Sequence, residues 1–214
     1  MPFLLVANIM NAKFCRSGRV VTLLLAVSFL SACGSVPQPR LYLLESPAGQ
    51  EGEGVTPPAP ELRELGVVMV SLPGYAVNAQ IASLATNGSV TQDNDHRWAE
   101  DPAMAINRLL VDRLRKHADT TVLTEPWPRD YRPTARVKVV FDRLLREPSG
   151  GADMSGQVQL LSGDGRKLLK IMPFEFVLNG QDTARQAFFV AVSQGVDDIA
   201  RMAIEALQQL ELKS

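Results

Sequence analysis

The stretch from Thr134 to Leu178 constrains the fold most. Over Thr134–Arg146 (TARVKVVFDRLLR), Ala135, Val137, Val139 and Phe141 fall on one face, and Arg136, Lys138 and Val140 on the other. That period-two alternation is the pattern of a half-buried strand. Gly150-Gly151 turns the chain into Ser155–Leu161, and Gly163-Asp164-Gly165 turns it again into Arg166–Leu178. Asp-Gly between two strand-like runs is a hairpin signal, so three consecutive strands predict an antiparallel meander. A covering layer follows directly. Asp182 is placed to cap a last helix running to about Leu210, in which Phe189, Val192, Val196, Ile199, Ala203, Ala206 and Leu210 recur at steps of three and four. The stripe crosses Gly195 in phase, which predicts one long helix despite a cost of about 1 kcal/mol at the glycine. The spacing suits a helix packed on the sheet and also a coiled-coil seam.

Upstream, Leu41–Glu45 (LYLLE) reads as a strand, and residues 46–61 (SPAGQEGEGVTPPAPE) as a Pro/Gly-rich loop with too little apolar surface to pack. Leu65–Leu72 (LGVVMVSL) is a near-continuous apolar run ended by Pro73-Gly74, which suits a strand covered on both faces. Asn87-Gly88 between two strand-like runs predicts a hairpin from about Gln80 to Asn94. Asp101-Pro102 reads as a capping carboxylate followed by a proline at the first helical position. Ala103, Ile106, Leu110 and Leu114 then carry a helix to about His117. A short strand near Val122 precedes the proline-bounded loop PWPRDYRP. The expected fold is α/β, a single-domain sandwich in which a mixed, largely antiparallel sheet is covered by two helices.

The N-terminus sets the compartment. Residues 1–32 contain no acid; Lys13, Arg16 and Arg19 precede an apolar run, Val20–Leu30, of eleven residues. A basic flank and a short apolar core ending in small residues describe a secretory signal, and the run is too short for a bilayer, which needs roughly 20 residues. Leu30-Ser31-Ala32-Cys33 resembles the bacterial lipoprotein box, which implies cleavage before Cys33 and acyl chains on its sulfur and new amino terminus. Cys15 would be lost with the signal, leaving one cysteine and no intramolecular disulfide. Gly34, where Asp would favour inner-membrane retention, implies the outer membrane. The organisation is then a lipoprotein signal peptide over 1–32, a lipidated tether over 33–40 and a domain over 41–214. The seven residues Gly34–Arg40 reach at most roughly 25 Å, which holds the domain close to the membrane.

Composition excludes several functions. Cleavage leaves 19 basic against 23 acidic residues, a net −4, with no cationic excess to recruit nucleic acid. The segment Gln92–Pro102 (QDNDHRWAEDP) concentrates carboxylates, one of two histidines (His96, His117) and one of two tryptophans, and so resembles an active site. Glu100 and Asp101, however, sit where carboxylates favour a helix N-terminus. Asp93 and Asp95 fall at a polar hairpin end. No metal-ligand spacing, Gly-x-Ser-x-Gly elbow or phosphate-binding glycine loop occurs. No catalytic residue, metal site or cofactor is expected beyond the acyl chains on Cys33. Trp98 has two readings, a staple on the helix start or a contact for a partner. Tyr75, Trp127 and Tyr131 carry the same ambiguity.

Three blocks together are fairly specific. They are RLYLLE soon after the lipoprotein box; the run from VVMVSLPGY through HRWAED into the helix; and WPRDYRPTARVKVVFDRL. Over roughly Arg40 to Leu210 the chain resembles the ABC-type transport auxiliary lipoproteins, also called PqiC or membrane-integrity-associated transporter subunits. The resemblance implies a non-enzymatic lipoprotein of the outer membrane, facing the periplasm. It would dock an envelope-spanning MCE-domain protein that works with an inner-membrane partner in lipid transport, and would do so as a ring of copies. The rival reading is a periplasmic lipid-binding shuttle or chaperone with its own acyl-chain pocket.

Overall fold

The computed structural model describes residues 38–45, 64–118, 120–179 and 185–211. The signal segment, Cys33, the 46–61 loop and Asp182 lie outside them. Eight strands and two helices follow in chain order: β1 Arg40–Tyr42, β2 Glu64–Val67, β3 Gln80–Leu84, β4 Val90–Trp98, α1 Pro102–Ala118, β5 Thr121–Thr124, β6 Ala135–Arg146, β7 Ala152–Ser162, β8 Leu168–Leu178 and α2 Arg185–Glu211.

β6 is the spine. One edge pairs antiparallel with β7 over its whole length, and β7 pairs antiparallel with β8. This is the meander the alternation predicts. The other edge of β6 is shared end to end by two strands. β2 runs parallel to its first residues, and the chain stays hydrogen-bonded to β6 as far as Ser71, whose carbonyl accepts from Phe141 N–H at 2.8 Å. β3 meets the far end at Arg146. Beyond β2 lies β5, parallel; beyond β3 lie β4, antiparallel, and β1, parallel to β4.

The expectation of a largely antiparallel sandwich is corrected here. The sheet is mixed and curls into half a barrel. Parallel pairing joins β1 to β4, β2 to both β5 and β6, and β3 to β6. α1 and α2 pack on each other and fill the inner side in one core with the inward strand residues. The outer side of β6–β8 carries half-buried or exposed residues such as Lys138, Gln157, Gln159 and Ile171.

Each helix is positioned by local chemistry. Asp101 caps α1, its Oδ1 accepting from Met104 N–H at 3.0 Å, and Arg115, Lys116 and His117 sit in the last turn, where cations favour the helix dipole. α2 runs unbroken through Gly195. The buried stripe Phe189, Val192, Val196, Ile199, Ala203 and Ala206 belongs to the core, and α2 packs on α1, β7 and β8. The packed-helix reading therefore holds over the coiled-coil seam. Between the helices, Asp197 accepts from His117 Nε2 at 3.0 Å and lies 3.4 Å from Arg113 Nε.

Candidate functional site

The predicted hairpin turns at Asn87-Gly88, but its second strand runs on past Asn94 to Trp98, because β1 lies alongside and pairs Arg40–Tyr42 with His96–Trp98. The acidic stretch is therefore strand and cap. Trp98 is only 4% exposed. Its ring meets Phe188 and Phe189 of α2 edge-on, with centroids at 5.9 and 4.8 Å, and Tyr42 stacks on Phe189 at 5.3 Å. Trp98 is thus a core side chain pinning the end of β4 to α2, which corrects its reading as a surface contact. Asp93 accepts from Arg185 Nε at 2.9 Å and lies 3.0 Å from His96 Nδ1. Burial raises its pKa, but bonds from Arg185, His96 and the backbone amides of Asp95 and His96 outweigh that and hold the carboxyl below its ordinary value. Both histidines are thus committed to carboxylates that tie elements together.

Tyr131 is also internal. Its hydroxyl donates to Leu65 O at 2.7 Å and lies 3.2 Å from Thr121 O, bracing β2 and β5. Burial, with the nearby Glu64 charge, raises its pKa. Tyr75 is half-buried, and its hydroxyl accepts from Leu144 N–H at 3.3 Å.

Trp127 is placed differently. It lies over Gly66, where a Cβ would sit 3.1 Å from two atoms of the indole. A side chain here would push the ring back by a few tenths of an ångström, so glycine favours this close approach to β2. The Arg136 guanidinium stands 4.9 Å from the ring on the same outer side. β2 is therefore covered on both faces, as its apolar run requires.

Trp127 forms one wall of a groove of about 470 Å³ between α1 and the β5 exit, with Met69, Met104, Val111 and Leu123 among its lining residues. Met104 is 58% and Met69 39% exposed, and thioether side chains adapt readily to irregular partners. The charges at the rim are already engaged. Arg108 pairs with Glu100 and donates to Leu44 O, while Arg115 pairs with Asp112 and donates to Val122 O at 2.7 Å. Asn107, also lining the groove, is 2% exposed; its amide nitrogen donates to Thr124 Oγ1, and its Oδ1 has no partner among the described residues. Among those residues no group of three His, Cys, Asp or Glu is placed to hold a metal, and no helix is long and apolar enough to cross a membrane. The groove is an apolar seat with a neutralised rim. Of the four aromatic candidates, only Trp127 lines it. Met69 and Met104 escaped sequence reasoning. The available signal was Met104 itself, an apolar side chain off the buried stripe of α1.

A family model described as ABC-type transport auxiliary lipoprotein component matches residues 42–203, from β1 to the last turns of α2. The chain belongs to that family. Its fold recurs in a crystal structure of an uncharacterized protein, 18% identical, with a TM-score of 0.63, covering 79% of this chain and 99% of the other. It recurs again in protein XCC0632 from Xanthomonas campestris, 13% identical, with a TM-score of 0.56, covering 73% and 92%. No curated protein matches the chain.

Proposed function

We propose that this auxiliary lipoprotein is anchored at the periplasmic face of the outer membrane by acyl chains on Cys33. There it docks the MCE-domain protein of a lipid-transport, membrane-integrity system. The family match over residues 42–203 carries this reading. The groove beside Trp127 supplies a seat for an apolar segment of the partner, since an adaptor needs a recessed apolar anchor point more than it needs reactive groups. A ring of copies would present several such seats around one partner.

Met104→Glu tests the seat. Met104 is exposed, so the variant keeps its thermal melt, while a charge in the groove reduces co-purification of the MCE-domain protein by about tenfold or more. Unchanged co-purification would remove the groove from the docking surface. Phospholipid recovered with the purified chain, and no protein partner, would favour the shuttle reading.

A further inference from the structure

A second cavity lies on the other side of Trp127, where the loop carrying Trp127, Tyr131, Arg132 and Pro133 meets the β7–β8 turn. We propose that this cavity, of about 420 Å³, is a binding site for a phosphate-type anion gripped by Arg132, Arg136 and Arg166.

The charge balance is the first reason. Three guanidiniums line the cavity against one carboxylate, Asp164. Asp164 is turned into its own loop, accepting from the Ser162 hydroxyl at 2.5 Å and from Arg166 N–H at 3.0 Å. Its separation from the Arg166 guanidinium is a loose 3.9 Å. Arg132 and Arg136 bond only to carbonyls among the described residues: Arg132 to Arg129 O and Tyr131 O, and Arg136 to Gly163 O at 2.7 Å. Asp164 is close enough to feel the Arg136 charge, but among the described residues no carboxylate forms a salt bridge with Arg132 or Arg136, so the cavity keeps a cationic excess.

Preorganisation is the second reason. Arg136 is fixed at Nε by Gly163 O and backed by the Trp127 ring at 4.9 Å. The turn can close on it only because it is glycine-rich. A Cβ at Gly165, whose φ is +75°, would lie 2.8 Å from Arg136 Nη1, and one at Gly163 would lie 2.0 Å from Pro133 O. The Gly-Asp-Gly sequence thus does more than reverse the chain; it seats a guanidinium at the cavity wall. Such forks match the several oxygens and the charge of a phosphate group better than a single carboxylate. The phosphate is either free in solution or part of a lipid headgroup. The site does not depend on the docking proposal.

The test uses the full chain in neutral-detergent micelles and follows tryptophan emission, with Trp127 in the cavity wall as reporter. Glycerol 3-phosphate and inorganic phosphate are titrated against acetate, and micelles doped with phosphatidylglycerol against micelles doped with phosphatidylcholine. Saturable binding of a phosphate species is expected, at least about tenfold tighter than acetate. Arg132→Gln with Arg166→Gln should weaken it about tenfold at an unchanged melting temperature, because both side chains lie at the surface, while Arg201→Gln on α2 leaves it intact. Arg136→Lys, which keeps the charge and loses the fork, should also weaken it. Binding confined to glycerol 3-phosphate assigns a soluble ligand, and arginine-dependent binding to phosphatidylglycerol alone assigns a headgroup; either supports the site. Absence of saturable binding, equal affinity for acetate, or indifference to the arginine substitutions overturns it.

Discussion

Trp98→Ala lowers the stability of the domain by about 3–5 kcal/mol, the range for truncating a buried large aromatic. For a domain of this size that is a fall in Tm of roughly 6–20 °C. The loss is large because one ring joins three elements. Trp98 ends β4, takes its register from Tyr42 of β1, and meets Phe188 and Phe189 of α2 edge-on. Truncation removes both edge-to-face contacts and leaves Phe189 with only Tyr42 and Phe188 as aromatic neighbours. Trp98→Phe keeps an aromatic edge in the space and loses less. The measurement is a thermal or urea melt of both variants, followed by far-ultraviolet circular dichroism. A normal melt combined with lost partner binding would return Trp98 to the surface role and contradict the packing described here.

Cys33→Ala has the second large effect, on location rather than stability. Under the proposed anchoring, each buried acyl methylene contributes about 0.8 kcal/mol, and two or three chains on one residue hold firmly where one holds only marginally. Loss of the thiol removes them all. The variant should leave the membrane fraction for the soluble periplasmic fraction and lose metabolic labelling by palmitate. The melt of its folded domain should match that of the wild type, which separates mislocalisation from misfolding. Retention of Cys33→Ala in washed membranes would mean that the apolar run Val20–Leu30 or a protein contact does the holding.

How much of this was legible in the sequence follows from the kind of signal each element carries. The β6–β7–β8 meander, the Asn87-Gly88 hairpin and the capped α1 are local. Alternation, turn chemistry and a capping Asp each act within a few residues, and all appear where the pattern placed them. The parallel pairings were not legible. β2 finds β5 and β6, and β1 finds β4, across long stretches of chain, and a strand's own periodicity says nothing about its neighbour. The same cause hid the length of β4. Gln92–Arg97 is polar and reads as a hairpin end, yet it stays extended because β3 pairs with Gln92 and Asp93 and β1 supplies backbone bonds beside His96–Trp98. Trp98 and Trp127 look alike in sequence, each at a junction; burial sends one to the core and the other to a groove wall. The groove was illegible for a further reason. Its methionines come from a strand exit and a helix far apart in sequence, and only Met104, off the stripe of α1, hinted that an apolar side chain had work outside the core. Arg132, Arg136 and Arg166 are likewise unremarkable until the Gly163–Gly165 turn folds over them.

The most direct test of the account is the composition of the complex. The full chain, tagged at its C-terminus and expressed at native level, is extracted from membranes in mild detergent, affinity-purified and analysed by quantitative mass spectrometry. The account predicts an MCE-domain protein in near-stoichiometric amount, with its inner-membrane partner following more weakly. Recovery of the intact lipidated chain with no MCE-domain protein, from cells that demonstrably express one, would contradict it.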